Sequence, residues 1–480
     1  MDCYDADELR RRFPIACAVL VCGLALGAAS VAGMQTRAPV LPIAWADLAP
    51  LYESLQTRGI TAAAFPGYVQ RRRETNARRV REGDLDHLVF YFLQSTAFTP
   101  LPPLEPALSA KRLVDSLEPG DRAAFLKTAM APPSAVTPEV RARITAFLRS
   151  LTAPRPDARL TYFRELVTVT FPRPASREAA LLGEYLRVMR FVYEKEFAAP
   201  QSPGGAAALA ALYQGRGLST DTAVEAGYLV SLGLGVLKGL DPDRRIRRVL
   251  IVGPGLDLAP RTGLVDERPA ASYQPWAVMD ALLALDLSRE EDLEVVGADI
   301  NPRVVEHLRR ARTDPPTLRM MSEIRESDRV TFTPEYREYF AGLGRAIGTV
   351  ETPSPVGTST QTAASRTIRI RPSAAAALHA ARLDIVTERL GGPPFDLVIA
   401  TNILPYFDDA SLMLAIANIA AMLGPGGVFL HNEPRPLLGD VTTALGLPFE
   451  QSRYVTIATV RGAQAPLYDS VFLHRRTRGQ

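Results

Sequence analysis

The stretch VLIVGPGLDLAPR, Val249 to Arg261, runs four aliphatic residues into a turn broken by Gly253 and Gly255. A short apolar run ending in glycine reads as a buried strand. Glycine at its carboxyl end lets the backbone approach a ligand and turn sharply into the next segment. Downstream, LEVVGAD (Leu293 to Asp299) reads as a second strand, with Asp299 at the neighbouring edge of the same crevice. A carboxylate there accepts two hydrogen bonds and suits the paired hydroxyls of a ribose. Either feature alone is common in unrelated chains; the two together carry the signal.

Working outward, strands and helices alternate. Thr222 and Glu225 suggest a capping box opening a helix through Leu237. Further helices are expected at Pro275–Leu285 and Pro302–Arg312, and further strands at LDIVTERL (Leu383 to Leu390), FDLVIATNIL (Phe395 to Leu404) and GVFLHNE (Gly427 to Glu433). Near-continuous apolar strands alternating with helices imply a parallel sheet covered on both faces. The last two strands, RYVTIATV and LYDSVFLH, are too closely joined to be anything but antiparallel. Residues 314–382 interrupt the rhythm as an insertion. It contains the strand-like runs VTFTP and TIRIR and a segment, ETPSPVGTSTQTAAS, expected to be a disordered loop.

These strand-end segments resemble those of the class I S-adenosylmethionine (SAM)-dependent methyltransferases, from about Asp221 to the C-terminus of a domain that spans residues 216–480. The resemblance implies an α/β fold: a Rossmann-like, seven-stranded sheet with an antiparallel last strand, preceded here by an α-helical N-terminal domain. It implies SAM as co-substrate, with no metal, and transfer of a methyl group to an acceptor the sequence does not identify, small molecule or protein. By position, the methionine part of SAM falls to Gly253, Gly255 and Asp257, the ribose to Asp299, and the sulfonium end to Thr401 and Asn402; Glu388 is the candidate for the adenine contact. No catalytic residue is named, because SAM carries its own leaving group and alignment does most of the work. Two departures stand out. Asp257 occupies the third glycine position, and a long loop, Leu258 to Pro275, separates the turn from the next helix; its Asp266, Glu267 and Tyr273 are read first as loop surface and packing.

Three other readings stay open: a catalytically inactive methyltransferase-like binding module, a nicotinamide-dependent oxidoreductase and an aminopropyltransferase on a related fold. The nicotinamide reading is opposed at Leu258, where G-x-G-x-x-G needs glycine.

Residues 37–215 read as a helical domain. Val140, Ile144, Phe147, Leu148 and Leu151 form one stripe behind a Thr137–Pro138 start, and Leu182, Tyr185, Leu186, Met189, Val192 and Tyr193 form another. Six arginines between Arg71 and Arg81 are expected on a solvated helix face, with an anionic or lipid-headgroup partner as the alternative. Residues 1–36 read as a signal or membrane-anchor segment. Residues 13–36 carry no charge and follow Arg10, Arg11 and Arg12, implying membrane association and an exported or anchored body; a start at Met34 would instead make the protein cytoplasmic.

Composition narrows the classes further. With 55 Lys plus Arg against 52 Asp plus Glu, the chain lacks the cationic excess that nucleic acid binding calls for. All three cysteines, Cys3, Cys17 and Cys22, precede residue 37, so the body holds no thiolate metal site, disulfide or cysteine nucleophile.

Overall fold

The apolar runs form the centre of an eight-stranded sheet. Its strands are β1 (Arg248–Val252), β2 (Glu294–Asp299), β3 (Val330–Phe332), β4 (Leu378–Arg382), β5 (Phe395–Ala400), β6 (Leu423–His431), β7 (Phe449–Val460) and β8 (Leu467–Arg475). They lie in the order β3-β7-β8-β6-β5-β1-β2-β4. The neighbours from β6 to β4 are parallel, whereas β8 runs antiparallel to both β6 and β7. Val249, Leu250 and Ile251 are wholly buried because helices cover both faces of the central strand.

This computed structural model describes residues 38–478, except 155–156, 203, 262–264, 268, 352–361 and 463–466. The expected leader lies outside the described residues, as does most of the expected loop; its last residues, Thr362–Ser365, belong to a strand. Among the described residues no helix is long and apolar enough to cross a membrane; the expected spanning segment, residues 13–36, is not among them.

Two further corrections concern the sheet. It has eight strands where seven were expected, because β3, from the insertion, pairs antiparallel with the outer end of β7. The third strand of the parallel set is LHAAR, five residues before the expected LDIVTERL. Its alanines and histidine give a weak strand pattern, while Ile385 and Val386 mimic one yet are buried beyond the strand end, where Asn418 Nδ2 donates to the Ile385 carbonyl at 2.8 Å. The rest of the insertion folds as a three-stranded antiparallel sheet of Thr317–Glu326, Thr362–Ile370 and Gly348–Glu351.

Register places the strand ends level. Val252 pairs with Ala298, Ile399 with Ile251, and Asp299 with Arg382. Gly253, Asp299, Thr401 and the residues just after Arg382 therefore emerge along one edge, on both sides of the point where strand order reverses between β1 and β5.

Residues Pro39–Gln480 make one compact unit. Its helical part centres on α1 (Phe65–Gln94), with Phe90, Phe92, Phe147, Phe163 and Tyr185 fully or almost fully buried around it. The arginine run is not a plain solvated face. Arg72 pairs with Asp408, Arg73 lies 3.8 Å from Glu388, and the buried Arg79 donates to the carbonyls of Tyr213, Arg216 and Tyr406 at 2.9, 2.8 and 3.0 Å. The capping box is absent too: the helix α4 (Val224–Leu240) starts after Ala223, and Glu225 turns to Ser322 Oγ, Tyr336 OH and the Glu323 amide at 2.6, 3.0 and 3.0 Å.

Where α1 meets the segment before α4, two backbones touch. A Cβ on Gly83 would stand 1.9 Å from the Leu218 carbonyl oxygen, and the Leu218 amide donates to the Arg79 carbonyl at 2.8 Å. Only glycine permits that approach. Gly83→Ala is expected to cost about 1–3 kcal/mol through overpacking. Thermal denaturation should show the variant melting clearly below the parent; an unchanged melting temperature would contradict the packing.

Candidate functional site

A cavity of about 360 Å³ opens where the strand ends converge. Its floor begins with the turn after β1. Gly253 and Gly255 have φ of +66° and +72°, in the left-handed region that favours glycine. A Cβ on Gly253 would lie 2.5 Å from Ile403 Cγ2, and one on Gly255 would lie 2.7 Å from the Thr220 carbonyl oxygen. The glycines thus open a cradle and let residues 218–223 lie across it.

Asp299, at the end of β2, is buried against this turn, and Asn301 N donates to its Oδ1 at 2.8 Å. Burial pushes its pKa up to about 7, against backbone N–H groups of Asn301, Gly255 and Ile300; the nearby Asp84 carboxylate adds to the rise. Asn301 caps α6 (Pro302–Thr313) by accepting from Arg303 N, and its Nδ2 donates to Asp84 on α1 at 2.9 Å. One short segment therefore joins sheet, helix and roof.

Past β4, Asp384 lines the cavity and accepts from Asn76 Nδ2 of α1 at 3.2 and 3.0 Å, and from Val386 N at 3.1 Å. Burial raises its pKa, with Asn76 opposing the rise. After β5, Thr401 Oγ1 accepts from Gln274 Nε2 at 2.6 Å, at the start of α5 (Gln274–Ala284). Asn402 is one of three described non-glycine residues with positive φ, at +61°. It is held by a reciprocal pair: its amide donates to Asn432 Oδ1 at 2.9 Å, and Asn432 Nδ2 donates to its Oδ1 at 2.8 Å. Strained backbone fixed by side chains is a common mark of a working site.

The roof comes from outside the sheet. His87 on α1 is fully buried; its Nε2 accepts from the Thr220 amide at 3.2 Å, so Nδ1 carries the proton and faces Ala259 O and Asp221 Oδ1, both at 3.2 Å. Away from the strand ends the wall turns aromatic and charged, with Phe191, Tyr213, Tyr406, Lys195, Arg216 and Arg261. The loop after the glycine turn is tied down, as Asp266 accepts from Ser95 Oγ, Thr96 N and Thr96 Oγ1 at 2.7, 2.6 and 2.8 Å, and Glu267 lies 3.7 Å from Arg325.

Of the residues singled out in the sequence, Gly253, Gly255, Asp299, Thr401 and Asn402 line one cavity. Asp257 and Glu388 do not. Asp257 is buried and bridges Ala271, which draws its backbone away from the cradle. Glu388 lies in a short strand pairing with Val40–Pro42 and faces Arg73. Near the end of the third strand it is Asp384 that lines the cavity, missed because that strand was set too late. Asn76 and Gln274 carried no sequence signal. Among the described residues no group of His, Cys, Asp and Glu is placed to hold a metal.

No protein-family profile matches the chain, and no curated protein matches it in sequence. Solved structures do. The N-methyltransferase NodS from Bradyrhizobium japonicum WM9, in complex with S-adenosyl-L-homocysteine (SAH), aligns at 13% identity over 52% of this chain and 86% of that one, with a TM-score of 0.26. Magnesium protoporphyrin IX methyltransferase from Synechocystis PCC 6803, with bound SAM, aligns at 9% over 59% and 94%, TM-score 0.28. The CurJ carbon methyltransferase aligns at 14% over 90% and 98%, TM-score 0.28. The reversed β8 agrees with the expected antiparallel last strand, in a sheet of eight strands rather than seven.

The raised Asp299 pKa makes a prediction with a definite sign. The folded protein holds this proton up to about pH 7, whereas an unfolded carboxyl loses it near pH ~4. Between those values the folded state binds more protons, so the Asp299 contribution to stability falls as pH rises and levels off above pH 7. Asp299→Asn removes that slope. Melting curves should show the variant gaining stability relative to the parent between pH 5 and pH 8; parallel pH profiles would contradict it.

Proposed function

We propose that the chain transfers a methyl group from SAM to an acceptor bound at the aromatic end of the cavity. The observation that carries this reading is the convergence of the glycine turn, Asp299, Asp384 and the Thr401–Asn402 segment on one cavity, each from a different strand end. Two carboxylates at the ends of adjacent strands suit a nucleoside: Asp299 for the ribose hydroxyls, and Asp384 as acceptor for an exocyclic amine of the base. The left-handed turn at Gly253 and Gly255 leaves the backbone bare for the amino-acid portion. Thr401 and Asn402, stiffened by Gln274 and Asn432, form the wall beneath the sulfonium end.

When bound, SAM supplies an electrophilic methyl group on a sulfonium that is already a good leaving group. The protein's own task is orientation and exclusion of water. Residues 218–223 and α1 cover the strand ends, and the buried pairs Asn301–Asp84 and Asn76–Asp384 fix that cover to the floor.

Ligand hydroxyls donating to Asp299 stabilise its charged form, so binding should release a proton below pH 7 and tighten as pH rises toward 8. Calorimetry of the purified full chain with SAH tests this directly. The parent should bind, and Asp299→Ala should weaken binding roughly a hundred- to ten-thousandfold, from the loss of two hydrogen bonds to a charged group at about 1.5–3 kcal/mol each. A folded parent that binds no SAH would favour an inactive module; binding of a nicotinamide dinucleotide that Asp299→Ala abolishes would favour the oxidoreductase reading.

A further inference from the structure

The end of the cavity away from the strand ends has a composition of its own. Tyr213 packs edge-on against Tyr406 at 5.4 Å between ring centroids and against Phe191 at 6.2 Å, giving a continuous aromatic wall. Lys195 stands on the single π-helical turn Glu194–Ala198 that ends α2 (Arg177–Tyr193), with Nζ 5.9 Å from the Tyr213 ring centroid. Such turns are rare and occur frequently at functional sites. Lys195 and Arg261 share one carboxylate: Glu196 Oε1 lies 3.6 Å from Lys195 Nζ and 2.5 Å from Arg261. Arg216 stands over the Phe191 ring, its guanidinium carbon 3.9 Å from the centroid, and pairs with Asp86, yet its buried Nε has no hydrogen-bond partner among the described residues. Lys195, Arg216 and Arg261 all line this end of the cavity. Two carboxylates line it as well: Asp221, which faces His87, and Glu323 on the insertion.

The trio of Lys195, Arg261 and Glu196 carries one unit of positive charge, and a buried guanidinium N–H without an acceptor is costly unless something occupies it. An aromatic wall beside them suits a flat apolar body. We infer that the acceptor is a flat, aromatic carboxylic acid whose carboxylate is held by Lys195 and Arg261 and whose ring lies along Phe191, Tyr213 and Tyr406. The inference rests on the methyl-transfer reading for the word acceptor, but the anion site stands on its own geometry.

Fluorine NMR of the full chain with 4-fluorobenzoate, 4-fluorobenzamide and 4-fluorobenzylamine tests it, with and without SAH. The benzoate signal should broaden with the SAH-loaded protein while the amide and amine signals do not. Lys195→Met should weaken benzoate binding about tenfold, the loss of one charge-assisted contact. Glu196→Gln, which frees both cations, should tighten it, a gain that misfolding cannot produce. Preference for the benzylamine, or weaker benzoate binding in Glu196→Gln, would overturn the proposal. Displacement of benzoate by SAH would also overturn it, by assigning these cations to the carboxylate of SAM itself. If calorimetry shows no SAH binding while the benzoate pattern holds, the cofactor reading falls and the anion site remains.

Discussion

Two backbone hydrogen bonds at the strand ends set everything else in place. Gly253 N donates to Ala298 O at 2.8 Å, and Leu383 N donates to Asp299 O at 3.0 Å. They continue the parallel ladder one residue past β1 and β4, so the glycine turn, Asp299 and Asp384 leave the sheet side by side. In a parallel pair, a one-residue slip would turn every side chain to the opposite face. Side chains on both faces of β1 and β2 are close-packed in apolar clusters, so such a slip would exchange the residues fitted to each face and lose that packing. Core packing thereby specifies the spacing of the two carboxylates.

The second constraint is electrostatic. Buried charges are tolerated only when paired, and the pairs here cross between the helical and α/β parts of one unit. Asp84 of α1 meets Asn301 at 2.9 Å and Arg303 at 3.7 Å, and Asp86, paired within the helical part with Arg187 at 2.7 Å, also reaches Arg216 at 2.7 Å. Arg79 closes three carbonyls from two separate segments. A helix so attached is part of the site's architecture: it contributes Asn76 to the cavity lining and, through His87, sets the position of the 219–222 segment. Ordering these groups costs conformational entropy, which the contiguous aromatic core around α1 offsets.

What was legible in the sequence was whatever local pattern dictates. VLIVGPG and LEVVGAD read correctly because uninterrupted aliphatic runs ending in glycine or aspartate leave few other structures open. Contacts made across long sequence distances were not legible. LHAAR forms β4 through its neighbour β2 rather than through its own propensity, so a carboxylate near the strand end was sought at Glu388, whereas Asp384 lines the cavity. Asp257 follows the turn in sequence but pairs with Ala271, a partner supplied by a long loop. The arginine run looked like a solvated face because charge pattern alone does not reveal that carbonyls and carboxylates wait opposite. Glu225, read as a cap, answers instead to Ser322 and Tyr336, about a hundred residues away. The local signal was real in each case, and tertiary partners redirected it.

The strand-end carboxylates are proposed as a nucleoside site. A crystal of the full chain soaked in SAH tests it most directly. Density for one nucleoside is expected in the cavity, with the ribose hydroxyls on Asp299 and the base amine on Asp384. Density for the ligand elsewhere, or an empty cavity at saturating SAH, would contradict it.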